Sequence, residues 1–349
     1  MKPVFDIKKW VRPSITALRP YASARDEFMS QGEEMLFLDA NENPFQTAVN
    51  RYPDPNQSRL KELIAKMRET TKEQVFLGNG SDEILDLLFR AFCEPGKEVV
   101  LTMPPTFGMY KVLASLNQVE NIEVPLTADF EIDIESVFKA LTRNCKMILL
   151  CSPNNPTGTS FKSESISKIL EAFDGLVVID EAYIDFSPKP SWLSQLGNYP
   201  NLIVTQTLSK AYGQAGIRLG IAYADPRIIE VLHKIKLPYN VNVLTQEWAI
   251  KRIAQQEIIK SEIQEILNEK EALYRSLKDI PWIKESIPSD ANFMLIRVDD
   301  GDRRYKQLIA KGIVVRNRSN QLHCENTLRI TVGTPEENRI FNKIVREIR

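Results

Sequence analysis

Asn201-Leu-Ile-Val-Thr-Gln-Thr-Leu-Ser-Lys210 runs directly into Ala211-Tyr-Gly-Gln-Ala-Gly-Ile-Arg-Leu-Gly220. The first six residues are β-rich, and the stretch beyond Lys210 is rich in glycine. This reads as a strand that ends in a loop and is followed by a second apolar run, Leu219-Gly-Ile-Ala-Tyr223. A lone Ser-Lys pair would carry no information. Here two hydroxyls (Thr207, Ser209), an amine (Lys210) and a guanidinium (Arg218) gather at one strand end. That set can hold a phosphate and supply an amine nucleophile.

Three further strand ends extend the pattern. Leu176-Val-Val-Ile179 is a short apolar run, read as a buried parallel strand, and it ends in Asp180-Glu181-Ala182-Tyr183. Open α/β sheets bind ligands at the carboxyl ends of such strands. There Asp180 can keep a pyridine nitrogen protonated, and Tyr183 can reach a ring oxygen; an Asp that merely caps the next segment is the ordinary alternative. Met147-Ile-Leu-Leu-Cys151 ends in Ser152-Pro-Asn-Asn155-Pro-Thr-Gly158, good turn chemistry that also presents Asn155 to the same place. Leu77-Gly-Asn-Gly80-Ser81-Asp82-Glu83 precedes an apolar-periodic stretch, so it reads as a helix start with Ser81 as N-cap. Such a terminus offers free N–H groups to a phosphate, or simply begins an ordinary helix. One cofactor needs a lysine Schiff base, an acid on a pyridine nitrogen and a phosphate grip together: pyridoxal 5'-phosphate.

In this order the four motifs resemble those of the fold-type I pyridoxal-phosphate aminotransferases. Leu38-Asp-Ala-Asn-Glu-Asn-Pro-Phe45, Arg51-Tyr-Pro-Asp-Pro55, Pro104-Pro-Thr-Phe-Gly-Met-Tyr110, Gly312-Ile-Val-Val-Arg316 and Thr327-Leu-Arg-Ile-Thr-Val-Gly-Thr334 are similar to one subfamily, the histidinol-phosphate aminotransferases. The similarity covers nearly the whole chain. It implies that Lys210 is both Schiff-base partner and general acid/base, with Asp180 and Tyr183 as its catalytic companions. Thr207, Ser209 and Arg218 would grip the cofactor phosphate, assisted by Gly80, Ser81 and Asp82, and Asn155 would reach cofactor and substrate. Tyr110 would stack on the ring, in preference to Phe107, and Tyr52 would cross a homodimer interface to the partner's cofactor phosphate. Arg329 would bind the carboxylate of glutamate, because an arginine fork pairs with a carboxylate through two hydrogen bonds. Arg316, Arg329 and Tyr21 would hold the phosphate of the other substrate, although Val314-Val-Arg-Asn-Arg318 offers two arginines and one of them can simply cover a sheet edge.

The implied reaction is amino transfer between L-histidinol phosphate and 2-oxoglutarate, giving imidazole acetol phosphate and L-glutamate by a ping-pong route in histidine biosynthesis. Aromatic aminotransferases and threonine-phosphate decarboxylases share the motifs; the Tyr21/Arg316/Arg329 set favours a phosphorylated substrate without identifying the imidazole. A protein of this fold that only binds ligand would be expected to lose Lys210, Asp180 or Arg218, and all three are present.

Composition narrows the classes further. With 45 basic and 46 acidic residues the net charge is −1, so no global field favours nucleic acid or a membrane surface. Cys93, Cys145, Cys151 and Cys324 lack metal or disulfide spacing, and two histidines do not suggest a metal site. The first residues lack a signal-peptide core, and a cytoplasmic location is expected.

The chain length of 349 residues suits a large domain plus a smaller one. The reading expects an α/β fold: an N-terminal arm over 1–40 that packs on the small domain, a large domain over 41–245 with a mostly parallel seven-stranded sheet, and a smaller α+β domain over 246–349. Within the last, residues 247–280 read as one long helix, and strands are expected at Phe293–Val298, Ile313–Val315 and Leu328–Val332.

Overall fold

The computed structural model describes residues 6–20 and 36–348. Its first half runs α1 (Pro13–Ala17), α2 (Ser58–Met67), β1 (Val75–Asn79), α3 (Ser81–Phe92), β2 (Val99–Thr102), α4 (Met109–Leu116), β3 (Glu120–Glu123), α5 (Ile134–Ala140), β4 (Cys145–Cys151), α6 (Ser163–Ala172), β5 (Leu176–Asp180), β6 (Leu202–Thr207), β7 (Leu219–Ala224) and α7 (Pro226–Ile235). The remainder is α8 (Val243–Ile253), α9 (Gln256–Leu277), β8 (Ile283–Ile287), β9 (Phe293–Val298), α10 (Gly301–Ala310), β10 (Arg316–Asn317), β11 (Thr327–Thr331) and α11 (Pro335–Glu347).

Seven strands form the large sheet in the order β1-β7-β6-β5-β4-β2-β3. β3, β2, β4, β5 and β6 are parallel, whereas β7 is antiparallel to both its neighbours. The connection from β6 to β7, residues 208–218, contains no crossover helix, so the chain must return antiparallel. Successive side chains alternate faces, and both faces are buried. Ile148, Leu150, Val177, Ile179 and Val204 join one core with α2, α6 and α8. Met147, Leu149, Leu176, Val178 and Ile203 join the opposite core with α3, α4 and α7. This two-sided burial explains why these strands are continuous apolar runs.

The small domain has a four-stranded antiparallel sheet ordered β10-β11-β9-β8. Met294, Ile296, Val298, Leu328 and Ile330 bury one face against Leu273 and Leu277 of α9 and Phe341 and Val345 of α11. Thr334 caps α11 with a complete capping box, and Pro335 stands at its first position.

Four expectations differ from the structure. No strand forms at Ile313–Val315; the strand there is the two-residue β10, Arg316–Asn317, which pairs with β11. The long helix is two helices, α8 and α9, broken at Ala254-Gln255, and α8 packs on α2. β8 was not expected at all. The described part of the arm packs on the large domain: Ile7, Trp10, Val11 and Ile15 cover the core beneath α3 and α7, and Arg12 reaches Glu94 at 3.3 Å and the Arg90 carbonyl at 2.9 Å. That core otherwise has an apolar edge open to water, which the arm's apolar side chains close. No helix among the described residues is long and apolar enough to cross a membrane.

Candidate active site

Residues at the carboxyl ends of β4, β5 and β6 converge on one cleft. Cys151, Asp180 and Thr207 end these strands, and the cleft is lined by them with Ser81, Asp82, Phe107, Asn155, Ala182, Tyr183, Ser209, Lys210 and Arg218. Its cavity volume is about 190 Å³.

Asp180 is the floor. It is 3% exposed, its Oδ2 accepts from the Tyr110 hydroxyl at 3.1 Å, and its Oδ1 accepts from the Ala182 amide at 3.2 Å. Burial pushes its carboxyl up to about 6, against the pull of those hydrogen bonds. Lys210 enters from the β6–β7 loop, with Nζ 5.6 Å from the centre of the Tyr183 ring. Burial first, and then the Arg329 charge, hold its amine below the ordinary lysine value. A larger neutral fraction is what an amine nucleophile requires.

One corner of the cleft is built for an anion. Thr207 Oγ1 donates to Ser209 Oγ at 3.0 Å, and Arg218 reaches Ser209 Oγ at 3.5 Å. Arg218 adopts a left-handed backbone conformation (φ 54°) at the start of β7, which turns its side chain back toward α3. Its contact with Asp82, 3.9 Å between two half-exposed side chains, is weak. Gly80 is the N-cap of α3, at φ 81°, so Ser81 is the first helical residue rather than the cap expected. A side chain at Gly80 would lie 2.6 Å from the Arg218 guanidinium. The glycine leaves room for guanidinium, helix terminus and a phosphate together.

The loops around this corner are fixed by Asn154, which is fully buried. Its Nδ2 donates to the Pro105 carbonyl at 2.9 Å and to Thr157 Oγ1 at 3.0 Å, and its Oδ1 accepts from Thr106 at 3.2 Å. This ties the Phe107 loop to the Asn155 loop.

The small domain supplies the opposite wall. Arg329 donates to Asn155 Oδ1 and lies over the Phe293 ring at 5.1 Å, and Phe293 meets Tyr183 edge-on at 5.1 Å.

The structure thus brings Lys210, Asp180, Tyr183, Asn155, Ser81, Asp82, Thr207, Ser209 and Arg218 into one cleft, with Gly80 and Arg329 at its edges. Tyr110 stands behind the floor, with its hydroxyl on Asp180. Tyr110 is 1% exposed and packs edge-on against Phe107, with ring centres 5.6 Å apart, while Phe107 faces the cleft. The first turn of α4 points Tyr110 inward to Asp180, and Phe107, just before the helix, stands at the surface of the cavity. Tyr52 is half exposed, stacks on Tyr239 at 4.4 Å and lies outside this cleft. Arg316 is exposed on β10. Tyr21 lies outside the described residues. Cys151 was missed by sequence reasoning, although its position at the end of a parallel strand was a usable signal.

Every feature tested fits pyridoxal 5'-phosphate: an amine held below its usual basicity, a buried acid behind the cavity, and a hydroxyl-guanidinium corner beside a helix start whose glycine leaves it open. Together with the sheet order they define a pyridoxal-phosphate enzyme of fold type I. The chain belongs to the aminotransferase class I and II family, whose sequence profile matches residues 38–344. Within that family it is similar to histidinol-phosphate aminotransferases: that of Christiangramia forsetii is 56% identical over 99% of this chain and 98% of its own length, and that of Bacteroides thetaiotaomicron 48% over 95% and 96%. Among solved structures, the histidinol-phosphate aminotransferase from Clostridium acetobutylicum shares the fold at TM-score 0.80 and 24% identity, covering 86% of this chain and 90% of that one. The enzyme from Sinorhizobium meliloti, in complex with pyridoxal 5'-phosphate, gives 0.78 and 24%, covering 86% and 83%.

Proposed function

We propose that this chain is a histidinol-phosphate aminotransferase, moving the amino group of L-histidinol phosphate to 2-oxoglutarate and giving imidazole acetol phosphate and L-glutamate in histidine biosynthesis. The observation that carries this reading is Lys210 and buried Asp180 in one cleft, with Arg329 at its edge, in a chain 56% identical to a histidinol-phosphate aminotransferase along almost its whole length.

Pyridoxal 5'-phosphate, when bound, supplies the electron-withdrawing ring that loosens the proton on the substrate α-carbon and carries the amino group between the two half-reactions. The protein's part is to hold and to move protons. Lys210 would hold the cofactor at rest; its Nζ, once released, would take the α-carbon proton and return it two atoms along, to the cofactor carbon beyond the amino nitrogen. Asp180, anchored by the Tyr110 hydroxyl and the Ala182 amide, keeps a proton on the ring nitrogen. Thr207, Ser209, Arg218 and the start of α3 hold the phosphate. Tyr183 and Asn155 serve the ring oxygen, and Tyr110 or Phe107 covers the ring. Arg329 takes a substrate carboxylate; with Arg316 and Tyr21 it takes the substrate phosphate. One clamp then serves two anions in turn, as a two-stage reaction at a single site requires.

The reading includes a cytoplasmic homodimer in which Tyr52 reaches the partner's site. Exposed Leu36, Leu38, Phe45, Leu244 and Trp248 support an interface. Four free, buried cysteines suit a reducing compartment.

The test is a donor panel on the cofactor-loaded enzyme with 2-oxoglutarate as acceptor: L-histidinol phosphate, L-phenylalanine and L-threonine phosphate. Glutamate formed fastest from L-histidinol phosphate is the expected result. Preference for L-phenylalanine, or carbon dioxide released from L-threonine phosphate, would replace the assignment.

A further inference from the structure

Three arginines stand on one face of the small sheet. Arg316 pairs with Arg329 across β10 and β11, and Arg329 with Leu295 across β11 and β9. Side chains two apart share a face. Phe293 and Leu295 belong to the core shared with the large domain, whereas Val315, Leu328, Ile330 and Met294 belong to the core behind the sheet. Asn317, between the two β10 arginines, turns the other way and donates to Asp302 of α10 at 2.6 Å. Arg316, Arg318 and Arg329 therefore all project toward the large domain and its cleft.

Arg318 differs from Arg316 in its surroundings. It is half-buried where Arg316 is exposed. Its backbone is fixed by a 2.9 Å hydrogen bond from its amide to the Thr327 carbonyl. Its Nε is buried with no hydrogen-bond partner. None of the three arginines forms an ion pair among the described residues; the one side-chain hydrogen bond of Arg329 goes to an amide oxygen. Arg318 and Arg329 both act electrostatically on the Tyr183 phenol inside the cleft. Holding three like charges together, one with a buried unpaired donor, is unfavourable unless an anion completes the set.

We infer that Arg318 is a specificity-determining residue of this cleft: a third guanidinium that binds the phosphate of the amino donor and is dispensable for the dicarboxylate. The inference rests on the reading of the chain as a histidinol-phosphate aminotransferase. A phosphate monoester presents a charge near −2 and three strong acceptors, and uses more donors than one arginine fork supplies. The side-chain carboxylate of glutamate presents one charge and two oxygens, which a single fork satisfies. Removing the third cation therefore penalises one substrate much more than the other.

The experiment measures the two half-reactions of the cofactor-loaded enzyme separately, with L-histidinol phosphate and with L-glutamate, in wild type, Arg318→Gln and Arg318→Lys. For Arg318→Gln, kcat/KM on L-histidinol phosphate falls roughly ten- to hundredfold, mainly through KM. On L-glutamate the change stays within roughly threefold, and Arg318→Lys recovers part of the loss because charge is kept without the fork. Inhibition of the glutamate half-reaction by inorganic phosphate weakens in parallel. Equal losses on both donors would make Arg318 a structural residue, and unchanged kinetics in both variants would make it a cover for the sheet edge; either overturns the inference. Wild type separates the two levels: if it converts L-histidinol phosphate and Arg318→Gln is unselective, only the arginine assignment falls. If wild type itself rejects L-histidinol phosphate, the proposed function falls and takes the assignment with it.

Discussion

Asp180 and Glu181 are neighbours with opposite tasks. Strand alternation sends Asp180 to the cleft and Glu181 to the other side of β5, where it accepts from Gln206 Nε2 at 3.0 Å and the Trp192 amide at 2.7 Å. Burial raises the Asp180 carboxyl to about 6 and that of Glu181 to about 7, against opposing hydrogen bonds. Both folded values lie above the unfolded ones, so the folded state binds these protons more tightly. Their contribution to stability is full below about pH 4 and is lost as pH rises through about 6 and about 7. Urea unfolding of the cofactor-free protein should show stability decreasing from these groups between about pH 4 and pH 7. Asp180→Asn should flatten that slope by on the order of 2–3 kcal/mol between the ends while transaminase activity is lost. An unchanged slope would show that Asp180 does not titrate there. The site residues were legible because each stands at the end of an apolar run beside a turn, and those signals are local. How Tyr110 and Phe107 are placed was not legible, because one turn of helix decides which ring faces inward, and that depends on Asp180, 70 positions away.

At the scale of elements, the site depends on how closely β7 approaches the start of α3. Gly78 of β1 pairs with Gly220 of β7. A side chain at Gly220 would lie 2.3 Å from the Ser81 amide nitrogen and 2.4 Å from the Gly80 carbonyl carbon. These are backbone atoms and cannot swing aside, so Gly220→Ala must displace the first turn of α3. The expected cost is about 1–3 kcal/mol, read as a lower Tm. The same displacement moves the corner formed by Ser81, Ser209 and Arg218, so the variant should also lose pyridoxal 5'-phosphate more readily on gel filtration, followed by its absorbance. Full retention with a lowered Tm would separate packing from anion binding. Elements were read best where both faces are buried. β8, Ile283-Lys-Glu-Ser-Ile287, is half exposed and carries two charges, so its pattern is too polar to stand out. The α8–α9 break has neither Pro nor Gly; Arg252 crosses it to Gln255 and Glu262, contacts that only tertiary structure reveals.

For the whole molecule the remaining matter is the apolar surface. Val49, Tyr52 and Leu244 line one groove with Glu42 and Arg51, which form an ion pair at 2.7 Å that orders its rim. Trp248, one turn further along α8, is 57% exposed, and Phe45 is 77% exposed. A patch of this kind is unusual on a monomer and common at an interface. Nothing in the local pattern could announce it: residues 36–52 contain mixed apolar and polar positions without helical or strand period, and their surface role emerges only when α8 is laid beside them. In a closed symmetric pair the patch would meet its own copy. Leu244→Asp combined with Trp248→Glu places two charges there. The expected species in sedimentation velocity is a folded monomer, against a dimer for wild type. Tyr52→Phe removes one hydroxyl and keeps the ring, so it should remain dimeric while binding pyridoxal 5'-phosphate more weakly. The two variants divide the proposal: a dimeric charge variant would remove this face from the interface, and full cofactor affinity in Tyr52→Phe would leave the interface intact while ending the role of Tyr52 in the partner's site.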